Sequence, residues 1–194
     1  MMMLVFFLEE PSAEEMLKGV LPKILPKHVV PRYVVFEGKQ DLEKQLERRL
    51  KHWKTPNTRF LVMRDQDSGD CRVIKQNLLN KCGAAKRPDT IVRIACHELE
   101  SFYLGDLRAV ETGLGLNGLS KLQKKRKYRA PDNLPNPAQE LISLTKRFYQ
   151  KVSGSRAIGP HLDLKNNFSH SFNVLVRTIK YIVSNNYENI HETS

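Results

Sequence analysis

Arg59-Phe60-Leu61-Val62-Met63-Arg64-Asp65-Gln66-Asp67-Ser68-Gly69-Asp70 is the stretch on which the fold of this 194-residue chain turns. Residues 59 to 64 carry the apolar, β-favouring side chains of a buried strand. The run stops abruptly at an acidic pair, Asp65 and Asp67. A second run of the same kind, Met3-Leu4-Val5-Phe6-Phe7-Leu8, stops at Glu9-Glu10. An open parallel sheet builds its sites outside the carboxyl ends of its strands, and these carboxylates fall there. Oxygen ligands so placed suit a hard divalent cation. The chain has 32 Lys and Arg against 21 Asp and Glu, a net charge of +11. That excess favours a polyanion such as nucleic acid as partner.

Working outward, strand and helix patterns alternate. Ser12-Ala13-Glu14-Glu15 reads as a capping box, in which Ser12 and Glu15 bond each other's amides. Ala13, Met16, Leu17, Val20 and Leu21 then share one helical face, which Pro22 and Pro26 close. Tyr33 to Phe36 forms the next strand. Leu42, Leu46, Leu50 and Trp53 mark an amphipathic helix over residues 41 to 53, and Pro56-Asn57 turns into the strand at 59 to 64. A helix from Cys71 to Cys82 follows, with Val73, Ile74, Leu78 and Leu79 inward. Ile91 to Cys96 is a fourth strand, and Leu99, Phe102, Tyr103 and Val110 mark the helix after it. Such alternation predicts an α/β fold, a parallel sheet flanked by helices and joined by right-handed crossovers. No repeat occurs at solenoid periods.

The second half has another character. Residues 112 to 139 mix glycine, proline and asparagine with a basic run, Lys121 to Arg129. A helix is expected from Gln139 to Lys151, broken by Ser153-Gly154-Ser155. A last helix is expected over residues 169 to 183, with Phe172, Leu175, Val176, Ile179 and Val183 inward, and a polar frayed tail from Asn185. The division is therefore an α/β domain over residues 1–115 and a basic loop with helical extension over 116–194, packed on the same core. Lys124, Lys125, Arg126, Lys127 and Arg129 are candidates to neutralise backbone phosphates, with Tyr128 stacking on an unpaired base. A solvated loop is the plain alternative. Arg156, His161, Lys165 and His170 are further cations with no spacing that ties them to a site.

Cys71, Cys82 and Cys96 are odd in number and spaced unlike a zinc site, so reduced thiols and a cytoplasmic location are expected, with Cys96 inside a strand. The apolar N-terminus lacks the basic region and cleavage site of a signal peptide. No stretch approaches the roughly 20 apolar residues that span a bilayer.

The Asp65-x-Asp67 stretch admits several readings. An EF-hand loop is excluded, because Asp70 and Gln76 stand where it needs Gly and Glu. A phosphatase pair of the haloacid-dehalogenase kind follows the first strand of its core, whereas this one follows the third. A metal site completed by a first-strand glutamate and a solvated turn both remain. His97 is either structural or catalytic.

Read in order, the elements decide further. A strand ending in Glu, then helix, strand, helix and a strand ending in Asp-x-Asp resembles the Toprim fold over residues 3 to 110. Leu8-Glu9-Glu10-Pro11-Ser12 is similar to the opening motif of that fold, with Glu10 where glycine is usual. The chain also resembles the Toprim-like domain-of-unknown-function 4276 family, related to overcoming-lysogenization-defect nucleases. Its pattern is matched by Glu9-Glu10-x-Ser12-Ala13-Glu14, Asp65-x-Asp67, Glu100-Ser101-Phe102-Tyr103-Leu104-Gly105-Asp106 and Ser171-Phe172. The resemblance implies a nuclease that hydrolyses DNA or RNA with Mg²⁺, or Mn²⁺ in its place. Asp65 and Asp67 would be ligands, Glu9 the general base or a second ligand, and Glu10, Glu100 and Asp106 accessory carboxylates. It further implies a partner ATPase of the ATP-binding-cassette type and a role in defence against phage, with oligomeric state open. The chain has no Walker A motif of its own. A non-catalytic Toprim-like binding module and a small-molecule phosphohydrolase are the competing functions.

Overall fold

The computed structural model describes residues 1–191, with the side chains of the last helix described as far as Ser184. Four strands, β1 (Met2–Leu8), β2 (Val29–Val35), β3 (Thr58–Asp65) and β4 (Ile91–Ala95), form one parallel sheet in the order β2-β1-β3-β4. Among the described residues the helices are α1 (Pro11–Val20), α2 (Lys39–Lys51), α3 (Cys71–Ala84), α4 (Glu100–Leu104), α5 (Leu107–Gly113), α6 (Pro137–Leu144), α7 (Lys151–Ile158) and α8 (His170–His191). None of them is long and apolar enough to cross a membrane. The architecture is α/β and Rossmann-like, as the alternation of elements predicts.

The two-residue period of the strands divides the core. Leu4, Phe6, Leu8, Leu61 and Met63 bury on one face, beside Met16 and Leu17 of α1, Phe102 and Tyr103 of α4, and Phe172 and Leu175 of α8. Val5, Phe7, Phe60 and Val62 bury on the other, against Leu42, Leu46 and Leu50 of α2 and Leu78 of α3. Both faces are covered, which is why the strands read as unbroken apolar runs. Residues from both halves of the chain enter the first of these cores.

Several local expectations are corrected. No capping box forms at Ser12–Glu15. Pro11, with its fixed φ, opens α1, Glu10 is the N-cap and the Ser12 hydroxyl donates to the Glu10 carboxylate. Glu15 instead holds Lys18 and Arg156, tying α1 to α7. Val73 is exposed rather than inward. Cys96 lies just beyond β4 and is half-buried. The helix after β4 is two, parted at Gly105, because the Asp106 side chain caps a new start by accepting from the Ala109 amide at 3.0 Å.

The helix expected over 139 to 151 is also two, because Lys146 and Arg147 adopt φ of 50° and 69° and turn the chain between α6 and α7. Ser153-Gly154-Ser155 lies inside α7 instead of breaking it. Gly154 is required there because a Cβ would stand 2.4 Å from Cδ2 of the Tyr149 ring. Helix α8 presents the expected apolar face. Its backbone continues through Asn185 to His191, so a frayed tail is not seen there, and residues 192–194 lie outside the described residues.

Candidate functional site

In the order β2-β1-β3-β4, the chain leaves β1 towards one edge and β3 towards the other. The connections therefore diverge between the ends of β1 and β3, the switch point outside which an open α/β sheet places its ligand site. The register pairs Leu8 with Met63, so its continuation sets Glu9 opposite Arg64 and Glu10 opposite Asp65. Strand parity then sends Glu9 and Arg64 to the α2 face and Glu10 and Asp65 to the α1 face. A one-residue difference thus decides which glutamate joins Asp65.

On the α1 face, Asp65, the last residue of β3, is 8% exposed, and Glu100, the first of α4, is fully buried. Burial pushes the Asp65 carboxyl well above its usual range, and the nearby Glu10, Glu100 and Glu9 push it further; the Leu99 amide opposes this. Burial likewise raises Glu100, against the pull of Lys151 and a hydrogen bond from Tyr149. The Tyr149 hydroxyl donates to Glu100 Oε1 at 2.8 Å, while Glu100 Oε2 is buried with no hydrogen-bond partner. Lys151 Nζ lies 3.3 Å from Glu10 Oε2. Burial opposes its charge, yet Glu100, Glu10 and Asp65 together raise its pKa. Tyr103 packs its ring 5.9 Å from that of Tyr149 and donates to Ser155 Oγ at 2.7 Å, fixing the wall behind Glu100.

On the α2 face, the Glu9 carboxylate accepts from the Asp65 amide at 3.1 Å and lies 3.8 Å from Arg64 Nε, whose guanidinium also reaches Glu43. Burial raises the Glu9 pKa, with the Asp65 amide and Arg64 opposing and Asp67 and Glu10 adding to the rise. Asp67 does not follow the pleat. The strand ends at Asp65, Asp67 adopts φ of 54°, and its carboxylate pairs with Lys39 Nζ at 2.7 Å. Its amide donates to the carbonyl of His97 at 2.6 Å, so the turn is pinned to the end of β4. Here His97 contributes its backbone.

The structure therefore brings together Glu10, Asp65 and Glu100 with Lys151, and sets Glu9 and Asp67 beside them on the other side of the sheet edge. Asp106 stands apart: its second oxygen accepts from the Asp163 amide at 2.7 Å, so both oxygens serve backbone, and a ligand role is not supported. Lys124, Arg126, Lys127 and Arg129 are exposed on short 3₁₀ turns, over 120–124 and 126–129, and Lys125 is exposed between them. Tyr128 is 2% exposed and donates to Glu140, which corrects its expected role as a stacking platform. Lys127 pairs with the same Glu140. Sequence reasoning missed Lys151 and Tyr149, which no motif marks; the parity that selects Glu10 was present in the alternation of β1.

The donor set suits a hard divalent cation: the acidic groups are all oxygens, one buried oxygen is unsatisfied, and two carboxyls are held where their charged forms are poorly stabilised. As the side chains stand, no three Asp, Glu, His or Cys groups among the described residues converge tightly enough to share an ion. The Glu10 carboxylate is held on one oxygen by the Ser12 hydroxyl and on the other by Lys151.

An α/β protein with a buried acidic cluster at the switch point of its sheet is the class that fold and site define. The chain belongs to the family described as Domain of unknown function (DUF4276), whose profile matches residues 8–180. No curated protein and no solved structure matches it significantly.

Proposed function

We propose that this protein is a Toprim-like, metal-dependent nuclease, with Asp65, Glu10 and Glu100 holding Mg²⁺ or Mn²⁺ and DNA or RNA as substrate. The observation that carries the reading is the buried, unpartnered Glu100 oxygen beside a buried Asp65 at the carboxyl edge. Two buried carboxylates close to a third acid are costly unless a cation is supplied. The sole cation reaching this group among the described ion pairs is Lys151, through Glu10.

When bound, the cation neutralises charge on the scissile phosphate and lowers the pKa of its water. The chain's own residues do the rest. Tyr149 fixes one Glu100 oxygen and leaves the other free to bind. The Asp65 amide orients Glu9, which would serve as the base that takes a proton from water. Lys151 balances the acids, pairing with Glu10, and its charge would also attract a phosphate oxygen. Exposed lysines and arginines of the 124–129 segment add phosphate attraction without sequence reading.

The test is incubation with DNA, RNA and a small phosphate ester, with and without Mg²⁺ or Mn²⁺. Polynucleotide cleavage that needs the metal and vanishes in Asp65→Asn supports the reading; cleavage of the ester alone makes the protein a phosphohydrolase. The pairing of Glu9 with Arg64 and of Asp67 with Lys39 favours a second reading, a Toprim-like module that binds without cutting. Absence of divalent-ion binding in calorimetry decides for it. An ATP-binding-cassette-type ATPase partner, a part in phage defence and a cytoplasmic location rest on the family resemblance and composition.

A further inference from the structure

A hollow distinct from the acidic cluster runs along the outer edge of β4. Two adjoining cavities of about 520 and 330 Å³ share Lys75, Val92, Arg93 and Val174 in their walls. Helix α3 supplies Lys75 on one side, α8 supplies Arg177 and the exposed Tyr181 on the other, and Arg93 rises from the strand between them. No Asp or Glu lines either cavity. Among the described residues Lys75, Arg93 and Arg177 make no ion pair.

Arg93 is the informative member. Its Nε donates to Thr178 Oγ1 at 2.7 Å and its Nη1 to the Val92 carbonyl at 2.9 Å, so the guanidinium is held in place by neutral groups. Burial lowers its pKa with no carboxylate to offset it. A half-buried guanidinium without an acid is unfavourable, and it is the geometry expected of an anion receptor. The second cavity extends to Cys96 and Ser171 at the end of β4. Ala95 pairs with Asp65 in the β3–β4 register, so the hollow ends one strand away from the acidic cluster. An exposed tyrosine at the opposite end provides a face for an unpaired base.

We propose that the groove between α3 and α8 is the channel for single-stranded DNA or RNA, with Lys75, Arg93 and Arg177 on the phosphates and Tyr181 beneath a base. The identity of the polyanion rests on the nuclease reading; the channel itself rests on the unpaired cations.

The experiment is fluorescence anisotropy with a labelled single strand of about 16 nucleotides, a length near the upper single-site size, in EDTA so that no cleavage intervenes. Wild type is compared with Lys75→Ala/Arg177→Ala, both exposed, with Tyr181→Ala, and with Lys124→Ala/Lys125→Ala as the other basic surface. Removing two phosphate contacts lowers affinity by about 10-fold at moderate salt and flattens the slope of log K against log salt by about 1.4. Loss of a stacked base in Tyr181→Ala weakens binding about 5- to 150-fold. The proposal is overturned if wild type binds no oligonucleotide, if the groove double variant binds as wild type does, or if poly-glutamate displaces the strand more readily than unlabelled oligonucleotide, which would make the occupant an acidic peptide. Groove-dependent binding supports the channel even where no cleavage is seen with metal; then the nuclease reading alone fails.

Discussion

Two acidic groups flank the same sheet edge and live under opposite conditions. On the α2 face, Asp67 keeps a third of its side chain in solvent and pairs with Lys39, and Glu9 leans on Arg64 and an amide. On the α1 face, Asp65 and Glu100 are buried, their pKa values are raised, and Lys151 is the cation that reaches them, through Glu10 and at close range. Solvent, Lys39, Arg64 and the Asp65 amide already pair with the first group. In the second, burial disfavours the charged form of both carboxyls and one Glu100 oxygen has no partner, which is the basis on which a divalent cation is proposed there. Two aspartates two residues apart, read as one motif, thus belong to two different electrostatic environments.

The largest expected effect separates those environments directly. Asp65→Asn should reduce metal-dependent cleavage by about 10³-fold or more, as loss of charge stabilisation at a reacting phosphate does, whereas Asp67→Asn should change it by less than about 10-fold. Steady-state cleavage assays of both variants check this, and equal losses would erase the contrast between the two faces.

Next comes pH. The raised carboxyls of Asp65 and Glu100 make the folded chain bind more protons than the unfolded chain above the ordinary carboxyl pKa of about 4. Their contribution to stability therefore falls as pH rises from there through their folded-state values, and is flat below about pH 4. Metal-free thermal unfolding should show that decline, and Mg²⁺ or Mn²⁺ should suppress it. Asp65→Asn should flatten it as well and raise the metal-free Tm by about 2–4 °C for each kcal/mol of relieved repulsion. Glu15 and Glu140, lowered by their partners, act in the other sense and lose stability only on acidification.

A smaller effect is expected at the wall. Tyr149→Phe removes the hydrogen bond to Glu100 and should cost about 1–3 kcal/mol in denaturant unfolding, because it leaves a buried carboxyl with neither oxygen bonded. The smallest lies on the open face: Lys39→Ala breaks an exposed pair and should change stability by less than about 1 kcal/mol. A loss at Lys39 as large as that at Tyr149 would show that exposure is a poor guide to which acids matter.

Much of this was legible in the residues. The apolar runs at 3–8 and 59–64, each ending in acids and separated by helical patterns, require a parallel sheet with its polar ends at one edge. The residues alone leave open which glutamate shares a face with Asp65, and counting in twos along the paired strands places Glu10 there. Other readings failed where a nearby residue offered a better local solution. Pro11 displaced the capping box, Asp106 capped a helix, and a left-handed pair at Lys146-Arg147 split a helix that the apolar pattern alone would have continued.

The amino-acid order by itself determined the α/β class, the layers on each face of the sheet and the edge at which the acids gather, because these follow from periodicities of two and 3.6 that need no distant partner. Only the folded chain decided which acids are buried together and what faces them. Tyr149 lies 49 residues from Glu100 and Lys151 lies 141 from Glu10. Burial and Coulomb interaction depend on distance in space, and no local pattern encodes a neighbour that the path of the chain brings from so far away.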